Sequence, residues 1–438
     1  MADQQKKKSA KKAMAAPELV TVEEQEEFLR VLKQLNLVQD PSALLDAEQP
    51  RAHDDYKFWK TQPVPKIDEF PSEHGAIDAP KTVADVRAEP YAMPAGFEWS
   101  EIDFKDDAQA QEVYDLLTRN YVEDDDNMFR FDYSVDFLKW ALTSPGYYME
   151  WHVGVRNTKT GKLMGFISGI PVKTRAYEHT MEMAEINFLC VHKKLRSKRL
   201  APVLIKEITR RVNLKNIWQA VYTAGVVLPM PVAQCRYFHR SLNPKKLIEV
   251  GFSRLPPRMT MTSTIKMFKL PKTPLIPGFR AMEAKDVDQV TALLVEYLKK
   301  FDLVPVYNAD EVAHWMLPRD GVISAYVVED PSTHKVTDFC SFYHLPSSII
   351  GNDKHQTLRA AYSFYNVATS VKLVDLMQDA LIMAAATGFD VFNALTLMDN
   401  MEFLQDLKFG AGDGDLHYYL YNWRCPRMIG DRVGIVLC

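Results

Sequence analysis

The sequence lacks a framework of paired cysteines. Its 438 residues contain five cysteines, an odd number, and no two of them stand in a C-x-x-C spacing. Zinc ribbons and disulfide-stabilised secreted domains need such pairs or spacings. We therefore expect reduced thiols, no metal site and no disulfide framework. The cysteines are Cys190, Cys235, Cys340, Cys425 and Cys438.

Long apolar runs and a strong net charge are also missing. The most apolar stretches, 217–233 and 380–398, are interrupted by polar residues, proline or glycine before they reach membrane-spanning length. The net charge of −4 argues against a general nucleic-acid binder, so any anion site must be local. The N-terminus is polar and lysine-rich and shows no secretory signal. We expect a cytoplasmic protein without a transmembrane segment.

Residues 185–202, EINFLCVHKKLRSKRLAP, combine an apolar run with a basic turn. The run 186–191 predicts a buried strand, and five of the next residues, 193–199, are Lys or Arg. Pro202, followed by apolar residues at helical spacing, predicts a helix over 202–212. Because N–H groups and cations then face one spot, the pattern favours a phosphorylated ligand. A solvated basic turn is the alternative.

The end of this stretch is similar to the pyrophosphate loop of the GNAT acyltransferases, usually Gln/Arg-x-x-Gly-x-Gly/Ala. Here the loop reads RSKRLA, and Arg199 stands where glycine is usual. With the preceding NFLCVHKK, the stretch resembles the myristoyl-CoA:protein N-myristoyltransferase family, and matching stretches run from about residue 50 to the last. The resemblance implies myristoyl-CoA as co-substrate, no cofactor, and donor contacts at Phe188, Leu189, Cys190, Val191, Arg196, Ser197, Lys198, Arg199, Leu200 and Ala201.

Residues 38–98 are rich in proline and predict a functional strap or a linker. Within them, YKFWKTQPVP presents aromatic side chains that either bind a ligand or pin the strap to the core. This segment resembles the family's Tyr-x-Phe-Trp-x-Thr-Gln-Pro sequence. The resemblance implies that Lys57, Phe58 and Trp59 contact the CoA part of the donor.

Four adjacent carboxylates occupy positions 123–126, after a predicted helix over 106–121. Like charges side by side repel one another, so a solvated loop is the default interpretation. Neighbouring aromatic side chains favour instead a partly covered groove for a basic partner. The family uses this loop as a lid that recognises the acceptor peptide, which implies contacts at Asp124, Asp125, Asp126, Phe129 and Phe131.

The order of the predicted elements occurs twice. The first half gives strand, helix 202–212, strand 217–223, helices around 232–238 and 244–250, then Gly-Phe and a strand. The second half gives strand 359–367, helix 372–387, strand 389–395, helix 400–407, a Phe-Gly turn and strand 416–423. Two copies of one unit explain this order better than chance similarity does.

The predicted fold is therefore α/β (α+β), with two tandem GNAT-like units related by a pseudo-two-fold axis around a mixed, saddle-shaped sheet. Only the first unit has a basic turn. We expect a disordered basic tail at 1–20, an acyl-CoA-binding half at 21–225 and a peptide-binding half at 226–438. We favour a solubilising role for this tail, whereas the family resemblance implies that it recruits the enzyme to ribosomes.

Acyl transfer from a thioester to an amine needs an oxyanion site and a proton acceptor. No Ser-His-Asp or Cys-His order stands out. Cys190 lies in an apolar strand, where a thiol stays protonated, so we assign it to the core. In the family, main-chain N–H groups matching Phe188 and Leu189 form the oxyanion site, an arrangement that a strand bulge would permit.

The chain ends in an apolar run, DRVGIVLC, although termini are usually frayed and polar. We expect this run to be strand-like and buried together with its α-carboxylate. A strand that merely completes a sheet is the alternative. In the family the C-terminal carboxylate is the catalytic base, which implies this role for the main-chain carboxylate of Cys438. Burial would bring its pKa closer to that of the amine.

Residues 222–252 match the family along their whole length. The match implies that Thr223 relays the amine proton and that Tyr237 and His239 line the peptide groove, although a lone histidine is more often structural. Stretches AAYSFYNV, GFDVFNAL and FGAGDGDLHYYLYNW also match. They imply acceptor contacts at Tyr362, Asp413 and Leu416, and a place for Asn393 in the catalytic group.

The resemblance implies a monomeric enzyme that moves myristate from myristoyl-CoA to the N-terminal glycine of peptides and nascent proteins by direct attack. Another GNAT-type N-acetyltransferase is an alternative, which the acyl chain of a bound donor would distinguish. A non-catalytic module that binds acyl-CoA and basic peptides is the other alternative. Such a module would hardly notice the loss of Cys438.

Overall fold

The computed structural model describes residues 56–66, 69–124, 127–255 and 257–438, without the side chain of Ser197. The chain divides into Met1–Lys57 and Phe58–Cys438, and of the first unit only residues 56 and 57 are described. The predicted basic tail therefore lies outside the described residues. Everything below concerns the second unit.

The helices begin at residues that suit helix starts. The carboxylate of Asp106 accepts hydrogen bonds from two main-chain N–H groups of the first helix, and Ser134 caps the second. The helices are α1 (Asp107–Asn120), α2 (Val135–Leu142), α3 (Leu200–Asn213), α4 (Pro244–Glu249), α5 (Met261–Met267), α6 (Val287–Leu298), α7 (Ala309–Met316), α8 (Leu373–Ala386) and α9 (Met401–Leu404).

The strands range in length from two residues in β13 to 14 residues in β4. They are β1 (Phe97–Glu101), β2 (Phe129–Phe131), β3 (His152–Asn157), β4 (Leu163–Ala176), β5 (His179–Val191), β6 (Gln219–Ala224), β7 (Ala233–Ser241), β8 (Phe279–Ala281), β9 (Leu303–Pro305), β10 (Ile323–Glu329), β11 (Val336–His344), β12 (Ser347–Ile349), β13 (Thr357–Leu358), β14 (Ala360–Val367), β15 (Val391–Leu395) and β16 (Gly410–Tyr421).

One mixed sheet runs through both halves in the order β1-β3-β4-β5-β6-β16-β7-β15-β14-β11-β10-β8, with β9 beside β4. The order of the second half mirrors that of the first, and β5–β6 and β14–β15 are the parallel pairs. β16, the last strand of the chain, pairs with β6 and β7, and β7 pairs with β15, so strands from early and late parts of the chain alternate at the centre of the sheet. The predicted mixed α/β fold is confirmed.

Each half packs its long helix against its own strands. In the first half Leu204 and Ile208 of α3 join a buried cluster with Trp151 and Ile167. In the second half Leu381 of α8 packs in a cluster with buried aromatic residues of the sheet. A third cluster crosses from one half to the other, so the sheet has a continuous core. The predicted domain boundary at residue 225 stays a prediction.

The predicted helix around 232–238 is wrong, because this segment forms β7. Its side chains alternate between buried and exposed from Ala233 to Arg236, which is the period of a strand. The segment pairs on one side with β15 and on the other with β16. Pairing with strands distant in sequence therefore overrides a weak local preference.

Three further boundaries differ from the sequence prediction. The helix expected from Pro202 begins earlier, at Leu200, so proline occupies its third position. The strand expected after Phe252 is absent: the described residues that follow form turns and then α5. The helix expected over 400–407 ends at Leu404 and continues as turns.

Candidate active site

A bulge interrupts the pairing of β5 with β4. Phe166 pairs with Cys190 and Ser168 with Asn187, so a single residue of β4 faces two residues of β5, Phe188 and Leu189. Phe188 has a φ of 55°, a left-handed conformation uncommon for a residue with a side chain. The bulge thus lies at the two residues for which the family resemblance implies oxyanion donors.

The parallel strands β5 and β6 separate just before this bulge. Their last paired residues are Glu185 and Val221, although both strands continue beyond that point. Asn187 and Thr223 each lie two residues past the separation. The opening between the strands therefore brings the bulge and the end of β6 to one location.

Residues 433–437 are buried, as predicted, and Cys438 is partly buried, but the segment is not a strand of the sheet. A single bridge joins Val433 to Leu303, and Gly434 donates to the carbonyl of Leu303. The Val436 N–H donates to the hydroxyl of Tyr365 at 3.1 Å, in a fully buried position. These contacts hold the last residues of the chain beside β9 and β14.

The terminal carboxylate reaches the bulge through Asn187. The Asn187 side-chain Nδ2 donates to the terminal oxygen of Cys438, and its Oδ1 accepts from the Phe188 N–H at 2.9 Å. The main-chain carbonyl of Asn187 also accepts from the Ser168 hydroxyl. One amide side chain therefore connects the carboxylate to the first N–H of the bulge.

A small cavity lies at this junction. Asn187, Cys438 and Glu185 line it together with apolar residues and Tyr307. Burial raises the pKa of Glu185 to about 7, well above its ordinary value. Glu185 thus changes charge near neutral pH and shares the cavity with the C-terminus.

The two thiols near this cavity are protonated. Burial raises the pKa of Cys190 to about 12. Burial, together with the nearby charge of Glu185, raises the pKa of the Cys438 thiol well above its ordinary value. Since the thiolate is the nucleophilic form, these side chains are poor nucleophiles here.

The basic turn is a short 3-10 helix, Lys193–Lys198, between β5 and α3. Buried Leu195 and Leu200 anchor it, whereas Lys194, Arg196, Lys198 and Arg199 are exposed. Its cationic side chains therefore face solvent beside the N-terminus of α3, where main-chain N–H groups favour anions.

Arg199 departs from the usual glycine of the GNAT pattern, and the backbone shows why glycine is usual there. Its φ is 56°, in the left-handed region that glycine adopts without steric cost. Arg199 directly precedes the first residue of α3. The chain keeps the turn geometry with a residue that carries an additional positive charge.

The aromatic side chains of Phe58 and Trp59 lie near the end of β6. Trp59 stacks on Tyr222, with 5.9 Å between ring centroids, and Tyr222 stacks on Tyr419 of β16. Phe58 contacts Trp59 edge to face. Tyr222 directly precedes Thr223, so the stack of three rings borders the opening between β5 and β6. Lys57 belongs to the other unit.

The acidic loop is tied to the basic turn. Glu123 pairs with Lys193 at 2.7 Å and with Arg130, and these partners lower its pKa. The Asn120 side chain accepts from the Lys193 N–H at 3.0 Å. The main-chain carbonyl of Asn120 accepts from the Arg196 guanidinium. The loop that resembles a peptide lid and the turn that resembles a donor site therefore share direct contacts.

Asp124 closes its own loop. Its Oδ1 accepts from the Phe129 N–H at 2.7 Å, and its main-chain N–H donates to the Phe129 carbonyl. Asp125 and Asp126 lie outside the described residues. The adjoining strand β2 pairs with β12 of the second half, so the loop bridges the two halves.

An aromatic wall extends from the bulge towards the second half. Tyr133 contacts Phe188 and Phe131, and Phe131 contacts Tyr362, which in turn contacts Tyr237. Phe129 packs on Phe252 instead, away from Phe131. The structure thus brings four predicted acceptor or bulge residues, Phe131, Phe188, Tyr237 and Tyr362, into one continuous set of contacts.

His239 and Asn393 form a second polar pair. The His239 Nδ1 lies 2.6 Å from Asn393 Oδ1. Asn393 and Tyr362 form the last pair between β14 and β15 before these strands separate. Burial lowers the pKa of His239 despite this hydrogen bond and the charge of Asp413. His239 is therefore mainly neutral at pH 7.

The remaining predicted residues lie on β16 and β6. Asp413 is exposed within the irregular part of β16, and Leu416 pairs with Cys235 of β7. Thr223 pairs with Tyr418. Among the hydrogen bonds of the described residues, none joins Thr223 or Asn393 to the C-terminal carboxylate, so their catalytic roles stay predictions.

Sequence profiles identify both halves. The profile of the N-terminal domain of myristoyl-CoA:protein N-myristoyltransferase matches residues 76–235, and the profile of its C-terminal domain matches residues 249–434. The chain belongs to the N-myristoyltransferase family. The recognition predicted from the stretch 185–202 and the predicted class of enzyme are confirmed.

Curated members of the N-myristoyltransferase family cover nearly the whole chain. Glycylpeptide N-tetradecanoyltransferase 1 of Arabidopsis thaliana is 58% identical over 386 residues, which is 87% of this chain and 89% of that protein. Glycylpeptide N-tetradecanoyltransferase 2 of Bos taurus is 55% identical over 418 residues, 95% of this chain and 83% of that protein.

A solved N-myristoyltransferase has the same fold. The crystal structure of the Saccharomyces cerevisiae enzyme with bound myristoyl-CoA matches with a TM-score of 0.85 and 44% identity, over 88% of this chain and 100% of that one. Over the range the structure describes, no helix is long and apolar enough to cross a membrane. That range also contains no group of three or more His, Cys, Asp or Glu side chains arranged to hold a metal ion.

The sequence analysis missed Asn187, Glu185 and Tyr365. Asn187 and Glu185 carry a signal in retrospect, because polar residues at alternate positions of an otherwise apolar strand share one face. Tyr365 lies in β14, a strand whose residues are all buried, and carries no such signal. Its contact with Val436 depends on where the C-terminus returns.

Proposed function

We propose that this N-myristoyltransferase transfers myristate from myristoyl-CoA to the N-terminal glycine amine of proteins, with the carboxylate of Cys438 as base. The amine attacks the thioester carbonyl, an amide bond forms and the C–S bond breaks. The proton of the amine passes to the carboxylate, and the CoA thiolate leaves. The supporting observation is the hydrogen bond from Asn187 to the terminal oxygen beside the bulge.

The donor would bind in the first half. The basic turn offers exposed cations and the N-terminus of α3 to the CoA phosphates. The thioester oxygen would then lie against the main-chain N–H groups of Phe188 and Leu189. The Phe188 N–H would exchange its Asn187 partner for the developing oxyanion, an interaction strengthened in a water-poor site.

The acceptor would bind between the aromatic wall and the acidic loop. The N-terminal glycine would approach the opening between β5 and β6, because the carboxylate and the bulge meet there. Downstream Lys or Arg side chains would meet the carboxylates at 123–126. The contact of Glu123 with Lys193 supports binding of both substrates to adjoining parts of one site.

The main test separates the carboxylate from the thiol of the same residue. Cys438→Leu should keep kcat within a few-fold, because the carboxylate stays in position. A two-residue C-terminal extension should lower kcat by ~10²–10⁴-fold, the usual contribution of a general base. Product formation would be followed by mass spectrometry with a glycine-initiated peptide and myristoyl-CoA. Acyl-CoA affinity should be unchanged in both variants.

Full kcat in the extended enzyme would exclude the carboxylate as base. An inactive Cys438→Leu variant with normal acyl-CoA affinity would instead support the thiol. Parallel reactions with acetyl-CoA and myristoyl-CoA test the donor: a product that carries only acetyl would support the N-acetyltransferase alternative. No acyl product with either donor would support the binding module.

A further inference from the structure

The two halves repeat the bulge residue for residue. In the first half Phe166–Cys190 and Ser168–Asn187 are the pairs on either side of the bulge. In the second half Cys340 pairs with Asn366 and Phe342 with Ser363, so Ser341 faces Phe364 and Tyr365. By this register Phe364 and Tyr365 correspond to Phe188 and Leu189.

A side chain already occupies the second bulge. The Tyr365 N–H donates to the hydroxyl of Ser341 at 3.1 Å, and that hydroxyl donates to the Tyr365 carbonyl at 2.9 Å. Ser341 and Tyr365 are both fully buried. The N–H that corresponds to Leu189 is therefore bonded within the protein.

In the turn after β14, too, a side chain of the protein occupies main-chain N–H groups. The carboxylate Oδ1 of Asp338 accepts from the N–H groups of Thr369 at 2.7 Å, Ser370 at 2.9 Å and Val371 at 3.4 Å. Its Oδ2 accepts from the hydroxyls of Thr337 and Ser370. Consecutive N–H groups around one anionic oxygen form the kind of nest that binds phosphate.

This turn corresponds to the basic turn of the first half. Val191 pairs with Gly165, and Val367 pairs with Phe339, so Asp338 takes the position that Met164 has in the first half. By the same register Thr369 and Ser370 replace Lys193 and Lys194. A buried carboxylate thus appears in the half whose turn has Thr369 and Ser370 at the positions of two of the lysines.

We propose that the second half contains an internally closed phosphate site. In this site the carboxylate of Asp338 is the anion that a phosphorylated ligand supplies at the corresponding turn of the first half. Asp338 and Ser341 then restrict donor binding to one half of the chain. The comparison with acyl-CoA rests on the proposed function, whereas the anion site itself rests on the contacts of Asp338.

The nest of N–H groups lies close to the surface, with charged side chains of both signs around it. Asp338 is fully buried, whereas Thr369 and Ser370, whose N–H groups it accepts from, are exposed. A depression borders the same turn and is lined by Lys300 and Lys372 together with Asp399 and Glu402, and Lys300 pairs with Asp399. Burial would raise the pKa of Asp338, yet the hydrogen bonds lower it, so the group is charged at neutral pH.

The test asks whether phosphate replaces the missing carboxylate. Thermal unfolding of Asp338→Ala would be measured in CoA-saturated enzyme, in sodium phosphate and in sodium chloride of equal ionic strength. We expect Asp338→Ala to lower Tm by a few degrees, because the N–H groups lose a charged partner. Phosphate should restore at least about half of that loss by binding the folded state.

Wild type and Asp338→Asn are the matched controls. Phosphate stabilises many proteins weakly, so only the excess over wild type counts. Asp338→Asn keeps the shape and one acceptor oxygen and should show no excess. An equal phosphate response in wild type and Asp338→Ala overturns the proposal, as does an Asp338→Ala enzyme with unchanged Tm.

Refolding decides the matter if Asp338→Ala does not accumulate as folded protein. A yield that rises in phosphate but not in chloride supports the closed site, and a yield independent of phosphate overturns it. Failure of the first turn to bind CoA would contradict the proposed function. It would leave the difference between wild type and Asp338→Ala unchanged, so the two failures are distinguishable.

Discussion

The side chain of Asn187 uses both ends of its amide at the junction of the two halves. Its nitrogen donates to the terminal oxygen of Cys438, and its oxygen accepts from the Phe188 N–H. An aspartate or leucine of similar size could serve only one of these contacts or neither. The position of the carboxylate therefore depends on a single amide and on the packing of the C-terminal segment.

Tyr365→Phe should loosen this segment without touching the donor site. The Val436 N–H would lose its buried acceptor, which costs about 1–3 kcal/mol locally. We expect kcat to fall about tenfold, since a misplaced base loses part of its contribution. Steady-state kinetics would measure kcat, calorimetry the acyl-CoA affinity, and hydrogen exchange the Val436 amide.

Tyr326→Phe is the control, because it removes a hydroxyl in the core cluster that includes α8 rather than in the one that holds the C-terminal segment. Its kcat should stay near wild type. An unchanged kcat in Tyr365→Phe, despite faster exchange at Val436, would show that the segment tolerates this loss.

Glu185 should give the stability of the enzyme an unusual pH dependence. Burial raises its pKa from 4.5 to about 7, so the folded state holds the proton more tightly than the unfolded state. Its contribution is complete below pH 4.5 and is lost as the pH rises through 7. The stability of wild type relative to Glu185→Gln should therefore fall by about 2–3 kcal/mol between pH 5 and 8.

Denaturant unfolding of both proteins at several pH values would measure this difference. Glu185→Gln is isosteric and cannot ionise, so shared effects of pH cancel. A difference that stays constant between pH 5 and 8 would mean that Glu185 titrates alike in both states. The other carboxyl groups of the cavity, those of Glu311 and the C-terminus, and the cation Lys173 remain in both proteins.

The acidic loop and the basic turn behave as one element. Glu123 and Asn120 at the end of α1 contact Lys193 and Arg196, so a change in either segment reaches the other. The same loop continues into β2, which pairs with β12. The two segments for which the family resemblance implies acceptor and donor contacts are thus in direct contact within the first half, and β2 links them to the second half.

Arg196→Ala combined with Lys198→Ala should weaken CoA binding by about 2 kcal/mol or more, roughly 30-fold, because charge-assisted contacts are lost. Calorimetric titration with CoA would measure the affinity. Since Arg196 also donates to the Asn120 carbonyl, the KM for a basic peptide should rise as well.

The exposed pair Lys272→Ala and Lys335→Ala removes the same charge elsewhere and should leave the CoA affinity unchanged. An equal loss in both double variants would indicate a general effect of net charge. Unchanged affinity in the Arg196/Lys198 variant would exclude the turn as the phosphate site.

At the scale of the whole molecule, strands from early and late parts of the chain alternate at the centre of the sheet. β16 lies between β6 and β7, so neither half has a complete sheet alone. Separation would expose unpaired strand edges and part of the shared core. The sheet order therefore predicts one folding unit from Phe58 to the C-terminus.

A fragment of residues 58–241 should consequently show no cooperative thermal transition, because β16 is missing between β6 and β7. Mixing it with a fragment of residues 242–438 should restore a folded complex. Circular dichroism during heating would detect both outcomes. A sharp transition in the isolated 58–241 fragment would show that the first half folds without the second.

The sequence alone determined the features that depend on neighbouring residues. Periodicity predicted α1, α3 and α8, alternation and apolar runs predicted β5 and β14, and the cluster of cations predicted the exposed turn. The apolar C-terminus predicted burial. These inferences succeed because helix and strand periods appear within a short window of residues. The roles of individual residues at the site stay predictions.

The tertiary structure decided what depends on distant partners. β7 is a strand because β15 and β16 pair with it, although its local sequence suggested a helix. Asn187 and Cys438 meet across 251 residues, and Asp338 caps a turn 31 residues away. Such contacts form only when the sheet brings separate strands together, so no local pattern of the chain encodes them.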